Sequence, residues 1–304
     1  MTPFDVTILG CGSALPTTYH NPTSQLVSMN EKLFMIDCGE GTQLQMRRYR
    51  TRMSKLHSIF ISHLHGDHVF GLPGLLSTLD LLGKGGELNI YAHEEIKYML
   101  NPILNFFIPN AGYTINLINI AKNQVSVLFE NKSIKITAFP LRHRISTSGF
   151  LFEEKQKENH LRREMLEFYR VPISKYQSLK EGNDFINEDG EIIPNNLLTY
   201  PAEPPRKYAY CSDTAPFEEV IPVIKGVDLL FHEATFAESE RVRAKETFHS
   251  TAAQGGNIAK MAEVKKLVIG HYSSRYQSIG HLLKEAQDVF ENTILAEEGL
   301  VIPV

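Results

Sequence analysis

The sequence lacks several features that would place a protein outside the ordinary soluble class. It has few cysteines, three in all, and each lies in or beside an apolar run; they are Cys11, Cys38 and Cys211. Small buried thiols are the best interpretation, and a cytoplasmic redox environment is predicted from them. No apolar run reaches the length of a membrane-spanning helix, and no basic segment followed by an apolar one opens the chain. We therefore expect neither membrane insertion nor a signal peptide.

Excess positive charge and nucleotide-binding motifs are also missing. The net charge is −4 over 304 residues, so nucleic acid could be bound only through a local basic patch. Gly10–Pro16 forms a glycine-rich loop after an apolar strand, but it contains neither Gly-x-Gly-x-x-Gly nor a P-loop. A helix predicted from about Gln43 carries a basic group, which is either a solvated face or a phosphate contact: Arg47, Arg48, Arg50, Arg52 and Lys55.

What the chain does contain is a dense cluster of metal-ligand side chains at residues 63–68. Four donors lie within six residues: His63, His65, Asp67 and His68. The apolar run that ends at Ile61 predicts a buried strand directly before them. On extended backbone, His63 and His65 point to the same side, and Gly66 allows the chain to turn back. The cluster indicates a metal site, with a metal-free histidine-rich turn as the alternative.

Other predicted strands end in the same kind of residue. The apolar strands ending near residues 62, 139, 211, 231 and 269 are each followed by a histidine or an aspartate: His63, His143, Asp213, His232 and His271. Side chains at neighbouring strand ends can gather into one site on a rigid scaffold. Seven donors from this set of eight His and Asp side chains would suit two zinc-like ions about 3.5–4 Å apart that share one carboxylate. Ligation without cysteine fits Zn²⁺ or Mn²⁺ in an open hydrolytic site.

Residues 153–205 differ from the rest of the chain in composition. They are rich in charges of both signs and in proline, with helices predicted at 160–169 and 176–179 and a turn at 188–191 between short strands. We interpret this segment as an excursion with too few apolar residues for a core of its own. A disordered linker is the alternative. The remaining strands and helices predict one α/β domain that spans residues 1–304.

The motifs carry a family resemblance over nearly the whole chain. Residues 63–68 match the signature of the metallo-β-lactamase superfamily. Further segments resemble the short form of the ribonuclease Z family, the tRNA 3′-processing endonucleases: Gly12–Thr17, Asp37–Gln43, Ser212–Pro216, His232–Phe236 and Gly270–Tyr276. The segment Val171–Gln177 departs from the family's usual motif in the inserted arm.

The resemblance implies a fold, an assembly and a ligand set. The fold is a layered αββα sandwich with an inserted protruding arm at 153–205, which binds the body of the precursor tRNA on the partner subunit of a homodimer. Two zinc ions per subunit are implied and no organic cofactor, with Mn²⁺ as a possible substitute. One zinc is implied at His63, His65 and His143. The other is implied at Asp67, His68 and His271, with Asp213 bridging the two.

The implied reaction is hydrolysis after the discriminator nucleotide, which leaves a 3′-hydroxyl on the tRNA and a 5′-phosphate on the trailer. Asp67 would orient the attacking water or take its proton. His249 is the candidate that protonates the leaving 3′-oxygen, and Glu233 would hold the other ring nitrogen of His249. Arg275 and Ser274 are candidate phosphate contacts.

Two alternatives stay open from the sequence. The first is another hydrolase of the same superfamily, such as a small-molecule phosphodiesterase, an arylsulfatase-like enzyme or a lactonase, which would have no use for an RNA-binding arm. The second is a non-catalytic RNA- or metal-binding module that kept the fold. The complete ligand set, together with Asp67 and His249, argues against the second alternative.

Overall fold

The chain divides into two compact units in the computed structural model, which describes residues 3–304. One unit comprises the chain up to Glu130, Ile134–Glu153 and Arg206–Val304; the other comprises Asn131–Ser133 and Glu154–Pro205. The second unit begins and ends close to the predicted change in composition. No helix in the described part of the chain is long and apolar enough to cross a membrane.

The first unit is built on two mixed β-sheets. Within residues 3–304, the first sheet has seven strands, of which six are consecutive in the chain and one is C-terminal: β1 (Phe4–Gly10), β2 (Ser24–Met29), β3 (Lys32–Ile36), β4 (Leu56–Phe60), β5 (Glu87–Ala92), β6 (Thr114–Asn119) and β18 (Val301–Pro303). Their order in space is β18-β1-β2-β3-β4-β5-β6, and the strands from β3 to β6 run parallel. Strands β2 and β3 form a hairpin around Asn30-Glu31, and both turn residues have positive φ.

The second sheet also has seven strands among the described residues: β7 (Ser126–Glu130), β8 (Ile134–Leu141), β9 (Thr147–Glu154), β14 (Lys207–Cys211), β15 (Leu229–Glu233), β16 (Lys266–Gly270) and β17 (Thr293–Leu295). Their spatial order is β17-β16-β15-β14-β9-β8-β7. Strands β14 to β17 are parallel, so their carboxyl ends lie at one edge of the sheet.

Helices cover both outer faces of this pair of sheets. Those that follow strands of the first sheet are α1 (Thr42–Arg48), α2 (Gly66–Val69), α3 (Leu72–Leu81) and α4 (Ile96–Phe107). Those that follow strands of the second sheet are α8 (Ile221–Ile224), α9 (Arg241–Thr247), α10 (Ala252–Met261) and α11 (Gly280–Gln287). Thr251, directly before α10, forms a capping box with Gln254.

Side-chain alternation along the strands produces the layers. In β4 and the residue after it, Phe60 packs into the core between the sheets, while Ile59 and Ile61 pack outward among the leucines of α3. On the other side of the molecule, Ile258 of α10 and Leu282 of α11 belong to the same core as the second sheet. These contacts give four layers, helix, sheet, sheet and helix, and confirm the predicted αββα sandwich.

The second unit contains short elements around an apolar cluster of its own. Its strands are β10 (His160–Leu161), paired with β13 (Thr199–Tyr200), and β11 (Phe185–Ile186), paired with β12 (Ile192–Ile193). Its helices are α5 (Arg163–Phe168), α6 (Tyr176–Lys180) and α7 (Asn195–Leu198). The buried side chains are Leu166, Val171, Leu179, Phe185, Ile193 and Leu198.

Two expectations for this segment were wrong. It does have enough apolar residues for a small core, so neither a coreless excursion nor a linker describes it. The helix predicted at 160–169 is shorter, because residues 160–161 pair with β13 and the helix begins at Arg163. The helix at 176–179 and the turn at 188–191 are confirmed, and Gly190 in that turn has a φ of 80°.

The small core of the second unit can be tested at Leu198, which is fully buried, beside Leu197, which is 38% exposed. We expect Leu198→Ala to destabilise this unit by about 2–5 kcal/mol, since it opens a cavity in a small core. Hydrogen exchange of the backbone amides in 154–205 should accelerate in this variant and not in the control Leu197→Ala. Equal exchange in both variants would contradict an independent core.

Candidate metal centre and active site

Three histidines and one aspartate form the first donor group. Nδ1 of His65 lies 3.0 Å from Nε2 of His63 and 3.4 Å from Nε2 of His143. Oδ2 of Asp213 lies 3.5 Å from Nε2 of His63 and 3.8 Å from Nε2 of His143. All four ligand atoms fall within 4.8 Å of one another, a spacing that one tetrahedral metal ion can bridge.

The second donor group comprises Asp67, His68 and His271. Oδ2 of Asp67 is 3.4 Å from Nε2 of both histidines. The remaining oxygen of Asp213, Oδ1, is 3.1 Å from the same two nitrogens. Asp213 therefore presents one oxygen to each group, which is the geometry of a carboxylate shared between two cations.

Hydrogen bonds fix the tautomers of three of these histidines. Nδ1 of His68 donates to the Asp37 carboxylate (2.8 Å), and Nδ1 of His143 donates to the Phe248 carbonyl (2.9 Å). Nδ1 of His271 lies 2.9 Å from Oγ1 of Thr235, whose own hydroxyl donates to a carboxylate. Because each acceptor takes the proton on Nδ1, the Nε2 lone pair of each ring points into its donor group.

The buried donors fit a divalent cation. Nε2 of His68 is fully buried and has no hydrogen-bond partner among the residues that the structure describes. Burial lowers the pKa of His63, His65 and His143, which favours the neutral imidazole that binds metals. Burial alone would raise the pKa of Asp213, but His271 and His68 hold it well below its ordinary value. Burial alone would lower the pKa of His68, but Asp213, Asp67 and Asp37 raise it well above its ordinary value, so this ring must release a proton when a metal binds. Neutral nitrogens at His63, His65 and His143 and an ionised carboxylate at Asp213 are already the ligand forms that a metal site requires.

Asp37 is a supporting residue to which the sequence analysis gave no role. Its buried carboxylate accepts bonds from the Ser62 amide (2.7 Å), the Ser62 hydroxyl (2.9 Å) and the Tyr210 hydroxyl (2.7 Å), in addition to His68. These three donors hold the carboxylate in place against the His68 ring. Its position directly after β3 could have indicated a role in the site, because the metal-ligand candidates also follow strands.

Glu233 and His249 form a second network beside Asp213. Oε1 of Glu233 accepts from Nδ1 of His249 (2.8 Å) and from the Thr214 amide (2.8 Å), and Oε2 accepts from the Thr235 hydroxyl (2.5 Å). Burial alone would lower the pKa of His249, but the Glu233 carboxylate raises it to about 9. Nε2 of His249 lies 3.9 Å from Oδ2 of Asp213. The arrangement holds a proton on this ring next to both donor groups.

The backbone is strained at four points of the site. Asp37, Asp213, Phe248 and His271 all have φ between 50° and 61°, in the left-handed region that side chains other than glycine rarely adopt. Each lies one or two residues after a strand or helix of the first unit, and each either is a candidate ligand or contacts one. Such strain persists only where the surrounding structure enforces it, and it concentrates at functional sites.

Both donor groups border a cleft of about 680 Å³, which is lined by five of their seven side chains: His65, Asp67, His143, Asp213 and His271. Arg275 and Ser274, the candidate phosphate contacts, both line it. Ser274 is exposed. The Arg275 guanidinium is paired with Glu240 (2.7 Å) and lies over the Phe236 ring at 5.1 Å.

The structure brings together the seven predicted metal ligands and the catalytic candidates His249 and Glu233. His232, the remaining donor predicted at a strand end, lies outside both donor groups. The apolar pattern predicts His232 as one of the donors at strand ends. In the structure β15 continues to Glu233, so the two side chains point to opposite faces of the sheet. The His232 ring lies beside Gly255 of α10, and Nδ1 contacts the Glu233 carbonyl at 2.8 Å. Glu233 takes the position in the site instead.

Known proteins resemble the chain in both sequence and structure. Ribonuclease Z of Parabacteroides distasonis is 55% identical over 304 residues and 100% of both chains, and that of Bacteroides fragilis is 54% identical over 302 residues and 99% of both. The crystal structure of the short form of human tRNase Z superposes with a TM-score of 0.70 at 26% identity, over 98% of both chains. The metallo-β-lactamase fold protein YhfI from Bacillus subtilis, at 19% identity, covers 99% of this chain and 100% of its own with a TM-score of 0.71. Residues 4–159 match the family model described as Anti-Pycsar protein Apyc1.

The αββα sandwich and the paired His/Asp groups at its edge define a protein of the metallo-β-lactamase fold with a site for divalent metal. Within that class, the chain belongs to the ribonuclease Z family and is a hydrolytic nuclease, and its residues 4–159 also belong to the family described as Anti-Pycsar protein Apyc1. The fold and the family inferred from the motifs are confirmed.

The support that Asp37 gives to His68 can be measured. Asp37→Asn keeps a side chain that tolerates positive φ but removes the charge that holds His68. We expect affinity for Zn²⁺, determined by competition with a chelator, to fall about 10- to 100-fold. The control is Asp228→Asn, which removes a carboxylate just before β15, where it accepts from the Lys207 amide. Unchanged affinity in Asp37→Asn would rule out this support.

Proposed function

We propose that the chain is a zinc-dependent endoribonuclease that removes the 3′ trailer from precursor tRNA. Hydrolysis after the discriminator nucleotide would leave a 3′-hydroxyl on the tRNA and a 5′-phosphate on the trailer. The observation that carries the proposal is the pair of donor groups joined by Asp213, with His249 held beside them by Glu233. Its full-length relatives are named Ribonuclease Z, and the related human structure is named a tRNase Z, which supports tRNA as the substrate.

We propose two zinc ions per subunit, with Mn²⁺ as the other candidate metal. One would be held by His63, His65 and His143. The other would be held by Asp67, His68 and His271, with Asp213 shared between them. When bound, the ions would supply Lewis-acid stabilisation of phosphate charge and would acidify a water molecule. The nitrogen and oxygen donors of both groups, without cysteine, support a catalytic rather than a structural site.

The remaining steps belong to side chains of the cleft. Asp67 orients the attacking water or accepts its proton. Its carboxylate stays ionised, because His68 and His271 lower its pKa against the effect of burial. His249, protonated at Nε2 and held through Nδ1 by Glu233, donates its proton to the leaving 3′-oxygen. Because water is the nucleophile, the 2′-hydroxyl of the discriminator is not needed.

RNA binding through phosphates is supported by a basic strip on and after α1: Arg47, Arg48, Arg50, Arg52 and Lys55. All five side chains are exposed, and none forms an ion pair within residues 3–304. A strip of cations on a chain of net negative charge attracts a polyanion, with an affinity that falls as salt rises. Ser274 and Arg275 would contact phosphate in the cleft itself, with Arg275 exchanging Glu240 for the substrate.

We further propose that residues 153–205 are a tRNA-binding arm and that the enzyme is a homodimer. All lysines and arginines within 154–205 lie between Lys155 and Lys180, so positive charge is concentrated in one part of the arm. A dimer interface is supported by large apolar side chains left exposed on or just after α3 and α4: Leu81, Leu82, Tyr98, Phe106 and Phe107. Sedimentation of the unmodified chain tests this assembly, and a monomer at micromolar concentration contradicts it.

The alternative function is a small-molecule phosphodiesterase with the same metal centre. It has no use for an arm with its own core, which favours the tRNA substrate. We assign the activity to the cytoplasm, where tRNA is processed in a reducing environment, and the three cysteines are free and buried, as that environment allows.

The decisive test is cleavage of a precursor tRNA with a 3′ trailer by the zinc-loaded protein, with the cut and its end groups mapped. We expect one cut after the discriminator, with the 3′-hydroxyl and 5′-phosphate products, and loss of cleavage in Asp67→Ala. Rapid hydrolysis of a small phosphodiester without cleavage of the precursor would instead establish the alternative.

The role of His249 as the proton donor has its own test. We expect His249→Ala to lower kcat by about 10²–10⁴-fold and to retain its zinc, because the ring holds a proton without joining either proposed ligand set. The reduction in kcat should be smaller on a precursor whose leaving 3′-oxygen is replaced by sulfur, since a thiolate leaves without a proton. The exposed His281→Ala is the control. Loss of zinc from His249→Ala, or an equal reduction in kcat on the sulfur substrate, would contradict the assignment.

A further inference from the structure

A large aromatic side chain is exposed in the wall of the catalytic cleft. Phe70 follows α2 directly and lies three residues after Asp67, and its side chain is 65% exposed. It lines the cleft together with His65, Asp67 and His271. Most large apolar side chains of the first unit are buried in its two cores. Phe70 belongs to neither of these cores.

The ring is held against the backbone between two ligands. A Cβ atom placed on Gly66 would lie 2.3 Å from Cε2 and 2.5 Å from Cζ of Phe70, so the ring packs directly on the Gly66 α-carbon. Gly66 stands between His65 and Asp67 in the chain. The aromatic surface is therefore fixed immediately beside the donor groups, with more than half of it still open to solvent.

Other apolar side chains share the cleft. Leu15 is 66% exposed, and Leu15 and Pro16, from the loop after β1, line the same space as Phe70. The metal ligands, His249 and Arg275 can account for recognition of phosphate and for proton transfer. They do not account for the exposed apolar surface of the cleft, which a phosphate cannot contact favourably.

A nucleobase is the ligand that fits this surface. Unpaired bases of single-stranded RNA are bound mainly by stacking on aromatic side chains, and any base can be accepted, because every base has a π-face. We propose that Phe70 forms a base-binding subsite that stacks on one of the two nucleobases flanking the scissile phosphate, the discriminator or the first trailer nucleotide. The inference rests on the proposed function, since it requires an RNA substrate in this cleft.

The experiment is a double-mutant cycle between Phe70→Ala and a precursor tRNA with an abasic nucleotide at either flanking position. With the intact precursor, we expect Phe70→Ala to lower kcat/KM about 5- to 150-fold, equivalent to about 1–3 kcal/mol. With the abasic nucleotide at the stacked position, the same substitution should have little further effect. Phe70→Trp should keep most of the activity, and Phe70→Leu, which retains apolar bulk without a π-face, should fall between.

Two controls distinguish base stacking from a general loss of apolar surface and from damage to the metal centre. Val125→Ala truncates an exposed apolar side chain outside the cleft and should change nothing. Zinc content of each Phe70 variant excludes an indirect effect through the neighbouring ligands. Precursor cleavage in which Phe70→Ala has no effect, or has the same effect on intact and on both abasic substrates, would overturn the subsite while leaving the proposed function in place. No precursor cleavage by the unmodified protein would overturn both.

Discussion

The bridging carboxylate of Asp213 is the constraint on which the rest of the site depends. One of its oxygens faces His63 and the other faces His68 and His271, all within 3.5 Å. Burying an ionised carboxylate is unfavourable unless positive charge lies beside it, on protonated imidazoles or on bound cations. The scaffold must therefore hold the ligands apart and aligned before any cation arrives. The left-handed backbone at Asp213 and His271, enforced by the ends of β14 and β16, does this.

The positions of the ligands could be predicted from the sequence because they follow apolar runs. In each sheet the parallel strands bring the residues that follow them to one edge, so His63, Asp213 and His271 could be recognised from where apolar residues stop. The same rule failed at His232, because β15 continues for two residues beyond its apolar run, through His232 to Glu233. Neighbouring side chains of a strand point to opposite faces, so Glu233 entered the site and His232 did not.

Long-range partners could not be predicted from local pattern. Asp37 acts through Ser62, His68 and Tyr210, which come from other elements of the chain, and nothing around Asp37 itself indicates these contacts. The core of the second unit was missed for a related reason. Its buried residues, such as Leu166 and Leu198, come one at a time from short elements, so they produce no periodic signal.

Glu233 connects the proposed proton donor His249 with the candidate metal ligand His271. One of its oxygens holds His249, and the other is joined through Thr235 to the metal-ligand candidate His271. Cations bound beside Asp213 would oppose a charged imidazole nearby, so the proton on His249 depends on a close, buried carboxylate. The same carboxylate orients His271 through Thr235, which couples the proton donor to the metal centre. Replacing Glu233 would disturb both functions together, whereas replacing His249 disturbs only one, so His249 is the residue at which proton donation can be separated from metal binding.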